Sequence, residues 1–342
     1  MKPIILAIET SCDETAVSIS RGTDEILVSE IASQIDLHSP YGGVVPELAS
    51  RNHNIALRPL VQTALESAQL EITEIDAVAA TSGPGLASSL LIGDTTAKAI
   101  ALALGKPFYS VNHMEGHLLS PFIDYPAGVQ PNISLVVSGG HTMIVKVDQV
   151  GKYEVLGSTR DDAAGEAFDK AGKMMGLPYP AGPVIDKRAK LGDPKAFDFP
   201  RSMLKSGDLQ FSFSGLKTAM SHRLASLGEQ WNEEEPDESL LNDLSASFQA
   251  AVVDILVKKT MTAAKQEGAS LVTVSGGVSC NSGLRESMAE VTQEAGIDLL
   301  LATPGFSTDN AAMIAYAVAC RIEAGDEPDA LDRDINPNMP LV

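Results

Sequence analysis

The sequence is poor in cysteine, in aromatic residues and in long apolar runs. Its 342 residues include three cysteines (Cys12, Cys280 and Cys320), an odd number without a C-x-x-C pair, and 5% aromatic residues. A disulfide framework or a zinc finger is therefore disfavoured, and a reducing compartment is expected. The first apolar run is too short for a signal peptide, and no continuous apolar run approaches the ~18 residues of a membrane helix. We expect a cytoplasmic protein with no membrane partner.

Positive charge is scarce as well. The chain has 25 Lys and Arg against 45 Asp and Glu, a net charge of −20. This balance disfavours unaided binding to nucleic acid, because phosphate contacts require cations. Residues 185–217 depart from the trend, with seven basic side chains against four acidic ones. Such a strip is common on solvated surfaces but also fits a polyanion, and the sequence leaves both interpretations open.

Strand and helix patterns alternate along the chain. The apolar run 4–10, a turn carrying Asp13 and the alternating run 15–20 predict a hairpin, and residues 132–147 repeat this form. The repeat suggests an internal duplication. Between and after the hairpins, the patterns predict helices over 44–68, 86–105 and 161–176 (opening on Asp and closing on Gly), and one or two helices over 238–268. They also predict strands over 75–85 and 107–113, and over 270–281 a strand that leads into a glycine turn. This alternation indicates an α/β fold.

Three turns follow apolar strands and consist of small residues: "TSCDET", "VSGGHT" and "VSGGVSCN". Glycine permits close approach of a ligand to the backbone, and exposed N–H groups in such turns bind anions. Three turns in this order are the layout of the two-domain actin/sugar kinase/Hsp70-like ATPase fold. That fold has duplicated β-sheet cores and a nucleotide cleft between them. Tight turns in an ordinary α/β sheet are the alternative.

The segment "HMEGH" is a candidate metal site. On a helix, His113 and His117 lie about 40° apart and can share one metal ion, whereas Glu115 lies about 200° from His113. This spacing argues against an H-E-x-x-H protease, whose Glu must face the metal. Asp309 lies near the predicted N-terminus of a later helix. It is either a helix cap or a third ligand.

Many segments together resemble one family. The chain is similar to the TsaD family of tRNA threonylcarbamoyladenosine transferases, formerly described as O-sialoglycoprotein endopeptidases. The resemblance lies in the following segments: "IETSCDETA" (8–16), "YGGVVPELASRNH" (41–53), "SGPGL" (82–86), "NHMEGH" (112–117), "LVVSGGHT" (135–142), "DDAAGEAFDKAGKMMGLPYPAGPVID" (161–186), "FSFSGLKT" (211–218), "SGGVSCNSGLR" (275–285) and "STDNAAMIAYA" (307–317).

The resemblance implies a reaction and its residues. The family transfers threonylcarbamoyl from threonylcarbamoyl-AMP to the exocyclic amine of adenosine just 3′ of the anticodon in tRNAs that read codons beginning with A. One divalent ion per subunit, iron in preference to zinc, would be held by His113, His117 and Asp309. The adenylate or ATP in the cleft would contact a further set of residues: Val136, Val137, Ser138, Gly139, Gly140, Asp169, Gly182, Asp186 and Asn281. Asp13 is the candidate for orienting the ligand or accepting the amine proton, although a turn-stabilising Asp is the simpler interpretation.

The resemblance also implies partners and domains. Besides tRNA, proteins of the TsaB and TsaE types would assist, and a TsaC-type enzyme would supply the adenylate. One domain would comprise residues 1–112 with about 305–330, and the other residues 113–304, with an insertion around 185–240. The chain departs from the family pattern at Ala181, at Cys280 and in a tail without an R-P-R-W cluster.

Three other functions remain open from sequence. A kinase or ATPase of the same fold would share the turns but would not need the metal ligands. A metalloprotease would need a base on the metal side. A non-catalytic scaffold would not need either set of residues.

Overall fold

The chain divides into two compact units. The structure, a computed structural model, describes residues 2–228, 231 and 237–342. The first unit comprises Met1–Val129, Gln149–Tyr153 and Ala302–Val342, and the second comprises Gln130–Asp148 and Glu154–Leu301. The first unit extends past the predicted boundary at residue 112, because the helix that begins at His113 packs against the last helix of the chain.

Strands form two five-stranded mixed sheets. The strands of the first sheet are β1 (Ile4–Glu9), β2 (Glu14–Arg21), β3 (Glu25–Ser33), β4 (Ala77–Gly83) and β5 (Phe108–Asn112). Those of the second are β6 (Asn132–Val137), β7 (Thr142–Gln149), β8 (Lys152–Ser158), β9 (Leu271–Ser275) and β10 (Asp298–Leu301).

Both sheets have the same strand order. The first reads β3-β2-β1-β4-β5, and the second reads β8-β7-β6-β9-β10 in the same sense. Strand β1 pairs antiparallel with β2 and parallel with β4. Strand β6 pairs in the same way, antiparallel with β7 and parallel with β9. The predicted duplication of the β-sheet core is therefore confirmed.

Helices connect and cover the strands. Among the described residues they are α1 (Ile35–His38), α2 (Pro46–Ala68), α3 (Ala87–Leu104), α4 (His113–Leu119), α5 (Ala164–Met174), α6 (Gly182–Ala189), α7 (Ser214–Leu227), α8 (Glu238–Glu267), α9 (Ser282–Ala295), α10 (Pro304–Ser307) and α11 (Ala311–Glu323).

The first sheet has helices on both faces. Leu6 and Ile8 of β1 pack in one cluster with Leu57 of α2 and Ala97 of α3. Helix α11 also packs on β1 and β2, and its first ten residues, 311–320, are all buried. A helix that is apolar around its whole circumference is typical of a core position. This helix brings the segment before it, which contains Asp309, to the buried carboxyl end of β1.

The core of the second unit is centred on α8. This helix is a single element of 30 residues, and Phe248 and Leu256 lie in one cluster with Leu135 of β6 and Val274 of β9. By length and composition alone, α3 and α8 could cross a membrane; 33% of the most apolar window of α3 and 72% of that of α8 are buried inside the protein. Buried core helices commonly meet the same criteria.

Some elements differ from the sequence expectations. Strands β3, β8 and β10 were not anticipated. Helix α5 begins at Ala164 without a side-chain cap, so the predicted Asp cap is wrong. Asp161 instead accepts hydrogen bonds from the backbone N–H groups of Phe213 and Ser214, at the start of α7. The side chain that was expected to begin one helix therefore stabilises the beginning of another.

Candidate functional site

Helix α4 places two imidazoles on one face. Strand β5 ends at Asn112, whose side chain accepts a hydrogen bond from the backbone N–H of Met114 at 2.8 Å and so caps α4. His113 and His117 follow one turn apart. Both are buried, and their ring centroids are 4.8 Å apart at 86°. Their shared face is the one that the helical spacing predicts.

Asp309 joins the two histidines from the other end of the chain. Asn310, not Asp309, is the N-cap of α11, because its side chain accepts from the backbone N–H of Met313. The Oδ1 atom of Asp309 lies 3.1 Å from His117 Nε2 and 3.4 Å from His113 Nε2. The three candidate ligand atoms lie within 4.8 Å of one another. Two imidazoles and one carboxylate form a donor set that suits a transition metal and leaves coordination positions open.

Glu9 is a further residue of this site that the sequence analysis did not identify. It ends β1 and is fully buried, and its Oε2 atom lies 3.0 Å from His113 Nδ1. The Thr81 hydroxyl and the Ser11 backbone N–H donate to the same carboxylate, each at 2.5 Å. With Nδ1–H of His113 donating to Glu9, Nε2 is the atom that faces Asp309, and it would offer a lone pair to an ion once its own proton is displaced. A carboxylate behind a histidine ligand is a common way to orient it.

The electrostatics of the site follow from these contacts. Burial lowers the pKa of His113, but Asp309 and Glu9 outweigh it and raise this pKa well above the usual value. Burial would raise the pKa of Asp309, but the two histidines hold it well below the usual value. Burial lowers the pKa of His117, which keeps that ring neutral and able to donate a lone pair. The site is thus an anionic pocket with imidazole nitrogens facing one carboxylate oxygen.

Glu115 does not belong to this cluster. Its carboxylate accepts a hydrogen bond from the Tyr153 hydroxyl at 2.8 Å and lies 4.0 Å from the guanidinium of Arg321. This agrees with the helix geometry, which places Glu115 on the far side from His113. The residue therefore has partners of its own and is not positioned as the base of a metalloprotease.

Asp13 lies in the turn between β1 and β2. This turn contacts the site through the Ser11 hydroxyl, which is 3.2 Å from His113 Nδ1. Asp13 is half-buried. Its role in the reaction stays a prediction.

The second glycine turn lies against a helix N-terminus. Val136 and Val137 end β6, and the carbonyl of Ser138 accepts from the N–H of Gly165 in the first turn of α5. A β-carbon on Gly165 would be 2.8 Å from the Cα of Gly139, whereas Gly139 and Gly140 have open space on their own side-chain faces. Exposed N–H groups beside a helix N-terminus suit an anion.

The third turn is close to the second. A β-carbon on Gly276 would be 2.4 Å from the carbonyl oxygen of Val137. Asn281 caps α9 by accepting from the N–H of Leu284. Asp186 accepts from the N–H and the hydroxyl of Ser282, at 3.0 and 2.8 Å, so Asp186 and Asn281 meet at the start of α9.

The remaining predicted residues meet where α5 and α6 join. The Asp169 carboxylate accepts from the backbone N–H of Ala181 at 2.8 Å, and Gly182 begins α6. Ala181 has φ −84°, so its side chain causes no backbone strain. The structure thus brings two groups of predicted residues together within the second unit, and the metal-ligand candidates together within the first.

Comparison with known proteins gives the family. The model of the family described as TsaD, tRNA N6-adenosine threonylcarbamoyltransferase, matches residues 25–316. A protein of that name from Geotalea uraniireducens is 48% identical over 332 residues, 96% of this chain and 95% of its own length. Another from Pelobacter propionicus is 50% identical over 322 residues, 94% of this chain and 93% of its own length.

Solved structures agree on the fold. HypF of T. kodakarensis has a TM-score of 0.64 at 12% identity, covering 94% of this chain and 48% of that one. Component A of the (R)-2-hydroxyglutaryl-CoA dehydratase of Acidaminococcus fermentans has a TM-score of 0.54 at 13% identity. The match covers 93% of this chain and 99% of that one. The predicted α/β fold of the actin/sugar kinase/Hsp70 type is confirmed. This chain belongs to the TsaD family of tRNA N6-adenosine threonylcarbamoyltransferases.

Proposed function

We propose that this chain transfers the threonylcarbamoyl group of threonylcarbamoyl-AMP to the exocyclic amine of adenosine 3′ of the anticodon, in tRNAs that read codons beginning with A. The observation that carries the proposal is the convergence of His113, His117 and Asp309 in a chain of this family. A kinase or ATPase of the same fold would not need that cluster.

We further propose that these three residues hold one divalent ion, iron in preference to zinc. The donor set fits such an ion, because two buried Nε2 atoms face one carboxylate oxygen and Glu9 holds His113 from behind. When bound, the ion would act as a Lewis acid toward the acyl carbonyl or the phosphate.

The chain's own residues bind the adenylate and accept the amine proton. The Ser138–Gly140 turn, next to the N-terminus of α5, stabilises phosphate charge. Val136 and Val137, the last residues of β6, lead into this turn and contact the adenylate with it. A second set, Asp169, Gly182, Asp186 and Asn281, binds the rest of the nucleotide. The adenosine amine attacks the carbamoyl carbon, and the bond from that carbon to the phosphate oxygen breaks. AMP leaves, and the amine proton passes to Asp13.

Binding of tRNA requires more positive surface than this chain carries at a net charge of −20. In the strip 185–217, Arg188 forms an ion pair with Glu238 and Arg201 forms one with Asp254. Lys190 also faces a carboxylate, that of Asp186 at 3.8 Å. The other lysines of the strip, Lys187, Lys195, Lys205 and Lys217, are therefore the candidates for phosphate contacts. Partner proteins of the TsaB and TsaE types would supply the rest, after a TsaC-type enzyme makes the adenylate, in the cytoplasm and without a membrane partner.

Reconstitution tests this function. The purified chain would be combined with threonylcarbamoyl-AMP, an unmodified tRNA that reads A-starting codons, and the partner proteins, and the nucleosides would be analysed by mass spectrometry. We expect threonylcarbamoyladenosine with the wild type, little with His113→Ala, and near-normal amounts with Glu115→Gln. The last variant changes the same helix outside the cluster. The absence of product from the wild type, under conditions in which a relative is active, would refute the proposal.

A further inference from the structure

A buried histidine lies beneath the turn that carries Asp13. His53 belongs to the apolar stripe of α2, together with Ala49, Leu57 and Val61, and is fully buried. Its Nε2 atom is 2.9 Å from the backbone carbonyl oxygen of Cys12. A polar side chain within an apolar helix face requires a reason, and this contact with a turn about forty residues earlier in the chain provides one.

The partners of His53 select one protonation state. A carbonyl only accepts, so Nε2 must carry the proton that is donated to Cys12. Nδ1 then accepts, and two donors face it: the Thr15 hydroxyl at 2.8 Å and the Gln34 side-chain amide at 3.2 Å. Burial lowers the pKa of His53, which favours the same neutral ring. Each ring nitrogen therefore has a partner in a single tautomer.

This contact fixes the backbone next to Asp13. The carbonyl of Cys12 and the N–H of Asp13 belong to one rigid peptide plane. The preceding carbonyl, that of Ser11, accepts a hydrogen bond from the N–H of Leu86 at 2.8 Å. With two successive carbonyls held, the backbone that leads into Asp13 is fixed in place. The same turn contacts His113 through Ser11.

We propose that His53 is a positioning residue for the transfer reaction: by donating Nε2–H to the carbonyl of Cys12, it orients Asp13 toward the adenosine amine. The proposal rests on the proposed function. It extends the site to α2, which holds none of the residues proposed above to bind the ion or the nucleotide.

A histidine that merely completes the core is the competing explanation, and two substitutions separate the alternatives. The amide nitrogen of Gln can take the place of Nε2, whereas that of Asn reaches only the place of Nδ1. We expect His53→Gln to keep most of kcat. His53→Asn should lower kcat about 10- to 100-fold, because a misplacement of about 1 Å can cost about 100-fold. The KM for tRNA and the metal content should be unchanged, and His222→Asn, on the exposed surface, serves as the control.

A double-mutant cycle with Asp13 completes the test. If His53 acts through Asp13, the single variant Asp13→Ala should lower kcat, and adding His53→Asn to it should cause no further loss of kcat. Losses that multiply in the double variant would overturn the proposal, and so would a normal kcat for His53→Asn. If His53→Gln and His53→Asn lose kcat equally, and in proportion to the fall in their melting temperatures, His53 belongs to the core alone. A wild type that forms no modified adenosine would instead refute the proposed function.

Discussion

The contact between α5 and α6 offers a sharp test of the packing in the second unit. Ala181 stands where the family pattern has glycine, and it faces Gly172. A β-carbon added to Gly172 would lie 2.1 Å from the β-carbon of Ala181, whereas ordinary contact begins at 3.4 Å. The next atoms, the Cα of Ala181 and the Cδ1 of Ile185, are 3.5 and 3.7 Å away. Gly172→Ala therefore collides with a single methyl group, and that methyl group can be removed.

We expect Gly172→Ala to destabilise the protein by about 1–3 kcal/mol, the usual cost of overpacking a core. Ala181→Gly alone should cost no more than about 1 kcal/mol, since glycine is well tolerated at an N-cap. In the double variant the clash is absent, so the added cost of Gly172→Ala should fall to nearly zero. The hydrogen bond from the backbone N–H of residue 181 to Asp169 should also be kept in the double variant.

Urea denaturation followed by tryptophan fluorescence is a suitable assay. The chain has one tryptophan, Trp231, which packs against the same core cluster as Ala181. The four proteins of the cycle would be compared by their unfolding midpoints. If Gly172→Ala is as destabilising with glycine at position 181 as with alanine, the described packing of α5 on α6 is wrong.

Three further predictions concern the sites. Purified His113→Ala should contain far less than one metal ion per chain by elemental analysis, whereas Glu115→Gln should match the wild type, and equal contents would contradict the ligand assignment. Burial raises the pKa of the Glu14 carboxyl from 4.5 to about 7, so its contribution to stability is complete below pH 4.5 and is lost as the pH rises to 7. Glu14→Gln should therefore raise the melting temperature relative to the wild type at pH 8 but scarcely at pH 4.5, and a pH-independent difference would argue against it. Asn281→Ala removes the cap of α9 and the donor to the buried Gln249, so a loss of about 1–3 kcal/mol in urea denaturation is expected, and no loss would contradict these contacts.

Much of the fold could be predicted because its central elements carry strong patterns. The run 4–9 is almost wholly buried, and α2 has a regular apolar stripe, so both are evident from the sequence. Strand β3 lies at the edge of its sheet and is half-exposed throughout, which leaves its apolar pattern weak. Such edge elements are specified by pairing with a neighbour as much as by their own residues.

Spacing alone predicted only the local part of the candidate site, whereas Asp309 was identified as one of two alternatives and through the family resemblance. His113 and His117 lie one helical turn apart, so their shared face follows from helix geometry. Glu9 and His53 act through contacts with residues distant in sequence, and spacing carries no information about them. The cap at α11 could not be assigned either, because Asp309 and Asn310 are adjacent and both are good N-caps.

The central claim is that the imidazoles of α4 and the carboxylate before α11 hold an ion needed for transfer. The most direct measurement is the yield of threonylcarbamoyladenosine as Fe²⁺ is added back to a chelator-stripped chain, with partners, adenylate and unmodified tRNA present. The account predicts little product without metal and a product yield that rises with added Fe²⁺ until about one Fe²⁺ per chain is present. It predicts no such rise for Asp309→Ala. Full activity of the stripped chain, or the same rise with Asp309→Ala, would contradict it.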